Sequence, residues 1–439
     1  MIPRSSAIPS RADRDKALVG LMLLPTIFLP MNASLQRIER HLASGRAFDL
    51  TIERQVTRAH FDSRDRTSKM VEQLAKDHKI KAAVKVMQNN AEATQQPTFR
   101  ERVDLLRSKF PIREHPVPTD PIQAVAPFTK SQLMVVLDKM SRSAASCIDG
   151  WSRDLLKTAI YADSTIADDL GIILAWIAYS HGTGNDAENA RCPFGKFAMD
   201  IIRMGRLVGI PKPEGGVRPI VISAFFLKLA GALILERSHV KLSRYQYAIH
   251  QQRGAERVVH LAREAYDKGL VLIRLDSANA FNVARRDFVY KVLHDMNVDI
   301  EVRRYFATMY EPVSSLAVYG EAGQIEFVES SEGVRQGDAM SSLFFCLLMD
   351  LVCRDVADKF PTVDIWCYMD DCTIAAPPEI AMQVLQIATE ALTQHGFKPN
   401  LEKSAVICKS DLDIPSIVRR AKSDETFKIL GANMTGARH

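Results

Sequence analysis

No two of the seven cysteines (147, 192, 346, 353, 367, 372 and 408) form a CxxC pair, and no histidines stand at zinc-finger spacing from them. The spacing therefore holds no zinc finger or ribbon. The thiols read as reduced and mostly buried, those of an intracellular protein. No apolar run is long enough for a membrane span: "ALVGLMLLPTIFLPM" (17–31) is too short and carries two prolines. Its basic flank imitates a secretory leader, but the cysteine usage favours a buried segment. There is no internal repeat and no low-complexity tract, which excludes a repeat array.

What is present is an ordinary globular composition, 47% hydrophobic and 25% charged over 439 residues, enough for two or three domains. The net charge of +5 is unevenly spread: residues 1–120 carry 21 Lys and Arg against 14 Asp and Glu, so the remainder is slightly acidic. A basic N-terminal part beside an acidic centre suits a nucleic-acid-binding protein, although solvated basic helices produce the same signal.

Residues 33–112 read as polar helices, and "FPIREHPVPTDPIQAVAPF" (110–128) as a connector. Two helices follow around a turn at Asp149-Gly150, the first capped by Thr129, and then a longer helix through "DDLGIILAWIAYSHG". From about 207 short β-branched runs alternate with helices, the pattern of an α+β domain that carries a site on its loops.

Two of these runs end in carboxylates. Val271 to Leu275 leads into Asp276, and Val363 to Cys367 leads, past Tyr368-Met369, into Asp370-Asp371 before Thr373 to Ala376. A carboxylate at the end of a core strand is costly unless it is paired or binds a cation. Side by side, the two strands would bring Asp276 and Asp370 to one edge, an oxygen-rich site suited to Mg²⁺. Two such ions ~4 Å apart activate a hydroxyl and stabilise a leaving phosphate. Taken alone, the Asp doublet also fits a solvated hairpin tip. Lys212 and Arg218 flank "PEGGV", a turn that would aim both cations at one phosphate, or simply a basic β-turn.

Tyr368-Met369-Asp370-Asp371 resembles the YxDD box of reverse transcriptases, and five further blocks stand in that family's order. They are "VGIPKPEGGVRPIVIS" (208–223), "LDSANAFN" (275–282), "SEGVRQGDAMSSLFF" (331–345), "HGFKPNLEKSAVI" (395–407) and "FKILGANM" (427–434). The likeness covers roughly residues 120–439. Within the family, "KPEGGVRPI", "GVRQG" and Asp149-Gly150-Trp151 look most like non-long-terminal-repeat (LINE-type) retrotransposons, among them the site-specific elements with a restriction-like endonuclease.

The resemblance implies an α+β right-hand polymerase: a basic helical N-terminal extension (1–120), a fingers-type region (121–267), a catalytic palm with an antiparallel sheet (268–410), and a primer-grip hairpin with the start of a thumb (411–439). It implies RNA-directed DNA synthesis, with an RNA template, a DNA primer and dNTPs as partners and two Mg²⁺ (or Mn²⁺) as cofactors. No membrane is involved; the setting is intracellular, and nuclear for a eukaryotic retrotransposon. Asp276 and Asp370 would bridge the metals, with the Ser277 carbonyl as a further ligand and Asp371 as a supporting carboxylate. Lys212, Arg218, Gln336 and Gly337 would meet the nucleotide. Phe281, five positions after Asp276, would lie under its sugar and exclude a 2′-hydroxyl, although an aromatic there is also ordinary core. Gly333 and Gly337 would let backbone approach closely. Lys403 would protonate pyrophosphate, or be a solvated lysine. Tyr368 and Met369 would lie near the primer end, with Leu430-Gly431 in the primer-grip turn.

Ala339-Met340 and Ser342 replace family prolines, which bears on the rigidity of a helix start. "SSLFFCLLMDLVCRDVADKF" reads as an amphipathic helix. Gly431 stands eight residues before the last residue, so a thumb is expected to be largely missing; no integrase, RNase H, endonuclease or Cys/His knuckle signature is visible. The competing readings are an RNA-dependent RNA polymerase of the same fold, and a truncated, non-catalytic nucleic-acid-binding remnant.

Overall fold

The structure, a computed structural model, describes residues 11–28, 98–118, 125–141, 149–180, 193–212, 216–249, 251–320, 324–409, 412–421, 428–430 and 432–433. The helices expected between 33 and 97, and Cys147 and Cys192, lie outside the described residues. In chain order the elements begin with α1 (Arg11–Phe28), α2 (Phe99–Arg107), α3 (Lys130–Lys139), α4 (Arg153–Ala162), α5 (Thr165–Tyr179), α6 (Lys196–Arg203), β1 (Gly205–Pro211), β2 (Val217–Ile222), α7 (Phe225–Arg237) and α8 (Gly254–Asp267). Next come β3 (Val271–Leu275), α9 (Ala280–Val283), α10 (Arg286–Asp295), α11 (Ile300–Tyr310), β4 (Ser314–Tyr319), β5 (Ile325–Ser330) and α12 (Ser341–Lys359). The last are β6 (Asp364–Tyr368), β7 (Asp371–Ala376), α13 (Ala381–Gln394), β8 (Ala405–Ile407), β9 (Arg419–Ala421), β10 (Lys428–Ile429) and β11 (Ala432–Asn433). The chain divides into two compact units, one of residues 1–109, 122–233 and 312–330, the other of 110–121, 234–311 and 331–439.

The first unit has a four-stranded sheet in the order β2-β1-β4-β5. β1 and β2 form the expected hairpin, with Ile210 opposite Arg218 and Pro211 opposite Val217. Thr129 caps α3 as expected: its hydroxyl accepts the Gln132 N–H at 3.3 Å, and the Gln132 side chain returns to the Thr129 N–H at 2.9 Å. The N-terminal apolar run is buried through Leu18, Val19 and Met22. Trp151 holds it, donating from Nε1–H to the Leu21 carbonyl at 2.9 Å and tilting its ring 5.3 Å from Phe226. No helix among the described residues is long and apolar enough to cross a membrane. Gly171 is required by packing, because a Cβ there would stand 1.9 Å from the Phe128 carbonyl oxygen.

The second unit carries a five-stranded sheet in the order β6-β7-β3-β8-β9, antiparallel throughout except between β8 and β9. Because side chains alternate along a strand, each face serves a different layer. Leu272, Ala375 and Trp366 face α8 through Val258, Ala262 and Tyr266, in a cluster that Ile429 of β10 joins. Cys367 and Cys372 lie on the other face with Cys353 of α12. The amphipathic reading of α12 needs correction in its first half: from Leu343 to Asp350 every residue is buried, because α10, α13 and β6 all pack on this helix. Only its later turns have a solvated side.

Candidate active site

Asp276 is positioned by the strand before it. Val271, Leu272, Ile273 and Leu275 are all buried, the continuous apolar run that a sheet-centre strand needs. Leu275 pairs with Cys372, so Asp276 leaves the sheet beside Asp371, at the end where β6 turns into β7. There Tyr368 pairs with Asp371, leaving Met369-Asp370 as a two-residue hairpin loop. Met369 takes φ 57°, a left-handed conformation that costs a residue with a side chain about 1–2 kcal/mol. The free edge of β6 is occupied: the Cys367 N–H donates to Tyr245 and its carbonyl accepts from Tyr247, both at 2.8 Å.

The carboxylates are thus at one sheet end, Asp276 half-buried and Asp370 and Asp371 exposed at the tip. Burial pushes the Asp276 carboxyl up; Lys403 and then Arg274 pull it down, Asp370 raises it, and a hydrogen bond from Asn400 lowers it. The Asp371 carboxyl, hemmed in by its neighbours although the residue is open, is raised by desolvation first and by Asp370 second, with Arg274 opposing. Like charges gathered here and only partly offset are a donor set for a hard divalent cation. They do not form a three-carboxylate cage. Among the described residues, the one group of three whose ligand atoms all lie within 4.8 Å of one another is made of cysteines. Carboxylates gathered at one sheet end without such a cage suit a hard divalent cation that keeps part of its water shell.

Several residues of this site were not singled out from the sequence. Asn400 donates its backbone N–H to the Asp276 carbonyl at 2.9 Å, besides its side-chain bond to the carboxylate. The Ser404 hydroxyl accepts the Asp276 N–H at 3.1 Å. Arg274 donates to the carbonyls of Lys403 and Lys428, each at 3.2 Å, and so ties β3 to two segments more than 120 residues away. Only "HGFKPNLEKSAVI", in which Asn400 and Ser404 bracket Lys403, carried any hint of these contacts. Ser277 donates its hydroxyl to Lys398 at 3.2 Å, and Ala278 its N–H to the same carbonyl at 2.8 Å. Leu430 turns at φ 49° between β10 and β11, and Gly431 lies outside the described residues.

Phe281 is 9% exposed and stacks flat on Phe345, with centroids 4.4 Å apart and planes 9° from parallel. Its carbonyl accepts the Val334 N–H at 2.8 Å, stitching this segment to the one that holds Gln336. Gly333, at φ 74°, makes that approach feasible, since a Cβ would stand 2.2 Å from the Asn282 carbonyl oxygen. Gln336 is half-buried and Gly337 exposed, at φ 112°.

The loop around Gln336 is held by a buried polar network that sequence reading passed over. Asp338 accepts hydroxyl hydrogen bonds from Tyr305 (2.8 Å) and Tyr310 (3.2 Å), and the Met340 N–H at 3.3 Å. The Ser341 hydroxyl donates to the Asp338 carbonyl at 3.1 Å. Asp338 thereby stiffens the start of α12, where the family's prolines are missing. Arg286, fully buried, donates to the carbonyls of Gly333 (2.8 Å) and Tyr310 (2.9 Å), while its backbone N–H meets Glu332 at 2.8 Å. Charged groups of this kind are stable in a core only when so completely hydrogen-bonded.

In the first unit Lys212 and Arg218 are both exposed. Arg218 lies opposite Ile210, so it shares a hairpin face with Lys212 two residues further on. The Lys212 N–H donates to Gly216 at 3.1 Å across the turn.

A family model described as "Reverse transcriptase (RNA-dependent DNA polymerase)" matches residues 210–434, just over half of the chain. The chain is similar to a protein described as "Retrotransposable element SLACS 132 kDa protein" from Trypanosoma brucei gambiense, at 24% identity over 292 residues. That stretch is 65% of this chain but 23% of the relative, so the match spans about a quarter of the relative's length. Among solved structures, telomerase from Candida albicans in complex with a fragment of telomeric RNA matches at 13% identity, with a TM-score of 0.37, over 48% of this chain and 43% of that one. Apo telomerase from Candida tropicalis matches at 12% identity, with a TM-score of 0.36, over 47% of this chain and 44% of that one.

Proposed function

Because the chain belongs to the reverse transcriptase family, we propose that it extends a primer 3′-hydroxyl with dNTPs on an RNA template, as part of a non-long-terminal-repeat retroelement. The observation that carries this reading is the convergence of Asp276, Asp370 and Asp371 at one sheet end, with the charge of Lys403 felt at Asp276. Asp276 and Asp370, with the Ser277 carbonyl, are the groups that would hold Mg²⁺, or Mn²⁺ in its place, and Asp371 supports them. When bound, the divalent ions supply an activated 3′-hydroxyl and charge neutralisation at the α-phosphate and the leaving pyrophosphate.

The chain's own groups do the rest. Asn400 and Ser404 fix Asp276 through its backbone, and the Asn400 side chain opposes, with Lys403 and Arg274, the desolvation that raises its carboxyl. Lys403 is suited to protonate the departing pyrophosphate. Lys212 and Arg218 offer a point charge and a bidentate fork on one hairpin face, a pairing suited to a triphosphate. Gln336, on its braced loop, is suited to contact the nascent base pair. Phe281 cannot swing away from a 2′-hydroxyl without giving up its stack on Phe345, which supports selection of dNTPs over rNTPs. Tyr368, Met369 and Leu430 are assigned to the primer side. The similarity to a retrotransposable-element protein supports the retroelement assignment.

The test is extension of oligo(dT) on poly(rA) with dTTP and Mg²⁺ by the full chain. Metal-dependent extension, abolished in Asp370→Ala, is expected. Equal signal from the two proteins, or preferential incorporation of UTP, would overturn the proposal.

A further inference from the structure

The cysteines carry no metal-binding spacing in the sequence, yet the fold brings three of them together. Cys367 and Cys372 face each other across β6 and β7. The Cys367 N–H and carbonyl both point away from β7, to Tyr245 and Tyr247. The pair is therefore of the non-hydrogen-bonded kind, in which opposed side chains approach most closely. Cys353 reaches them from α12, its sulfur 3.4 Å from that of Cys367. All three side chains are buried, and their sulfurs lie within 4.8 Å of one another.

We propose that Cys353, Cys367 and Cys372 form a three-thiolate site for a soft, thiophilic metal ion of the monovalent copper class, directly behind the Asp370-Asp371 hairpin. Soft thiolates select such ions over Mg²⁺, so the site does not compete for the cation of the carboxylates. The coordination number decides against structural zinc, which takes four protein ligands. No His, Cys, Asp or Glu among the described residues completes a larger set. The carboxylate one turn earlier on α12, Asp350, is engaged by Ser243 through both its hydroxyl (2.5 Å) and its N–H (2.9 Å). A bound ion would staple both arms of the catalytic hairpin to α12, and so hold in place the turn that Met369 strains.

The experiment uses the full chain, reduced and anaerobic, with Cu(I) supplied as its acetonitrile complex. One copper per chain retained through desalting is expected, with X-ray absorption showing a first shell of three sulfurs. Cys353→Ser, Cys367→Ser and Cys372→Ser should each weaken retention against a chelator at least ~10-fold, the loss expected from removing even an outer partner of a metal site. Cys346→Ser and Cys408→Ser should retain copper as the unsubstituted chain does. Undiminished retention in Cys353→Ser would overturn the site, and displacement of Cu(I) by equimolar Zn²⁺ would overturn the class of ion. If the hairpin variants do not fold, the shell measured on the unsubstituted chain decides: two sulfurs, or nitrogen and oxygen donors, refute the proposal.

Discussion

Asp149 sets up a measurable dependence of stability on pH. It is completely buried, and its Oδ2 accepts the Phe225 N–H at 2.6 Å. Burial pushes its carboxyl from 3.8 up to about 7, against the backbone hydrogen bonds that favour the ionised form. Between those values the unfolded chain has lost this proton and the folded chain keeps it, so stability must fall as pH rises. The contribution is complete below about pH 4, declines by ~1.4 kcal/mol per pH unit, and is gone above about pH 7, about 4 kcal/mol in all. Asp149→Asn keeps an acceptor for Phe225 and removes the charge. Its new N–H groups would occupy the place of Oδ1, which has no partner, at a cost of about 1–3 kcal/mol. The variant should therefore be less stable than the unsubstituted chain at pH 5 and as stable or more so at pH 8. Urea unfolding followed by tryptophan emission at pH 5, 6, 7 and 8 tests this, because the difference between the two proteins cancels every other titrating group. Curves that stay parallel across the range would refute a buried proton at Asp149.

Gly333→Ala combines a left-handed backbone with overlap against Asn282; a loss of about 2–4 kcal/mol and weakened nucleotide binding are expected, read by chemical denaturation and the KM for dTTP. Phe281→Ala should raise the ratio of rNTP to dNTP incorporation by about 10-fold or more, and lower stability by about 3 kcal/mol through the lost stack on Phe345; an unchanged ratio would remove Phe281 from sugar selection. Arg274→Gln gives up charged hydrogen bonds to two carbonyls, for about 2–3 kcal/mol, and should raise the KM for primer more than it lowers kcat, because Lys428 lies in the hairpin assigned to the primer. Chelation of divalent ions should abolish extension, with Mg²⁺ or Mn²⁺ restoring it.

Much of the site could be read along the chain because its parts are local. A buried run ending in Asp276, a two-residue turn between two apolar strands, and a Thr cap before a periodic helix are each decided by neighbours within a few residues. Their physical causes, side-chain alternation, turn chemistry and capping, act at that range. The order of the blocks then supplied the family.

What the amino-acid order left open depends on which strands become neighbours. Placing β3 between β7 and β8 brings Asn400 and Ser404 to Asp276, and lets Arg274 reach Lys403 and Lys428. Packing α12 beneath the hairpin buries the first half of that helix on every side and gathers three cysteines that share no motif. Asp338 meets Tyr305 and Tyr310 only because α11 folds back against the loop that holds Gln336. Local periodicity and turn residues determine the elements and the clustered carboxylates; desolvation and hydrogen bonding between distant segments, settled only on folding, decide how those carboxylates are held.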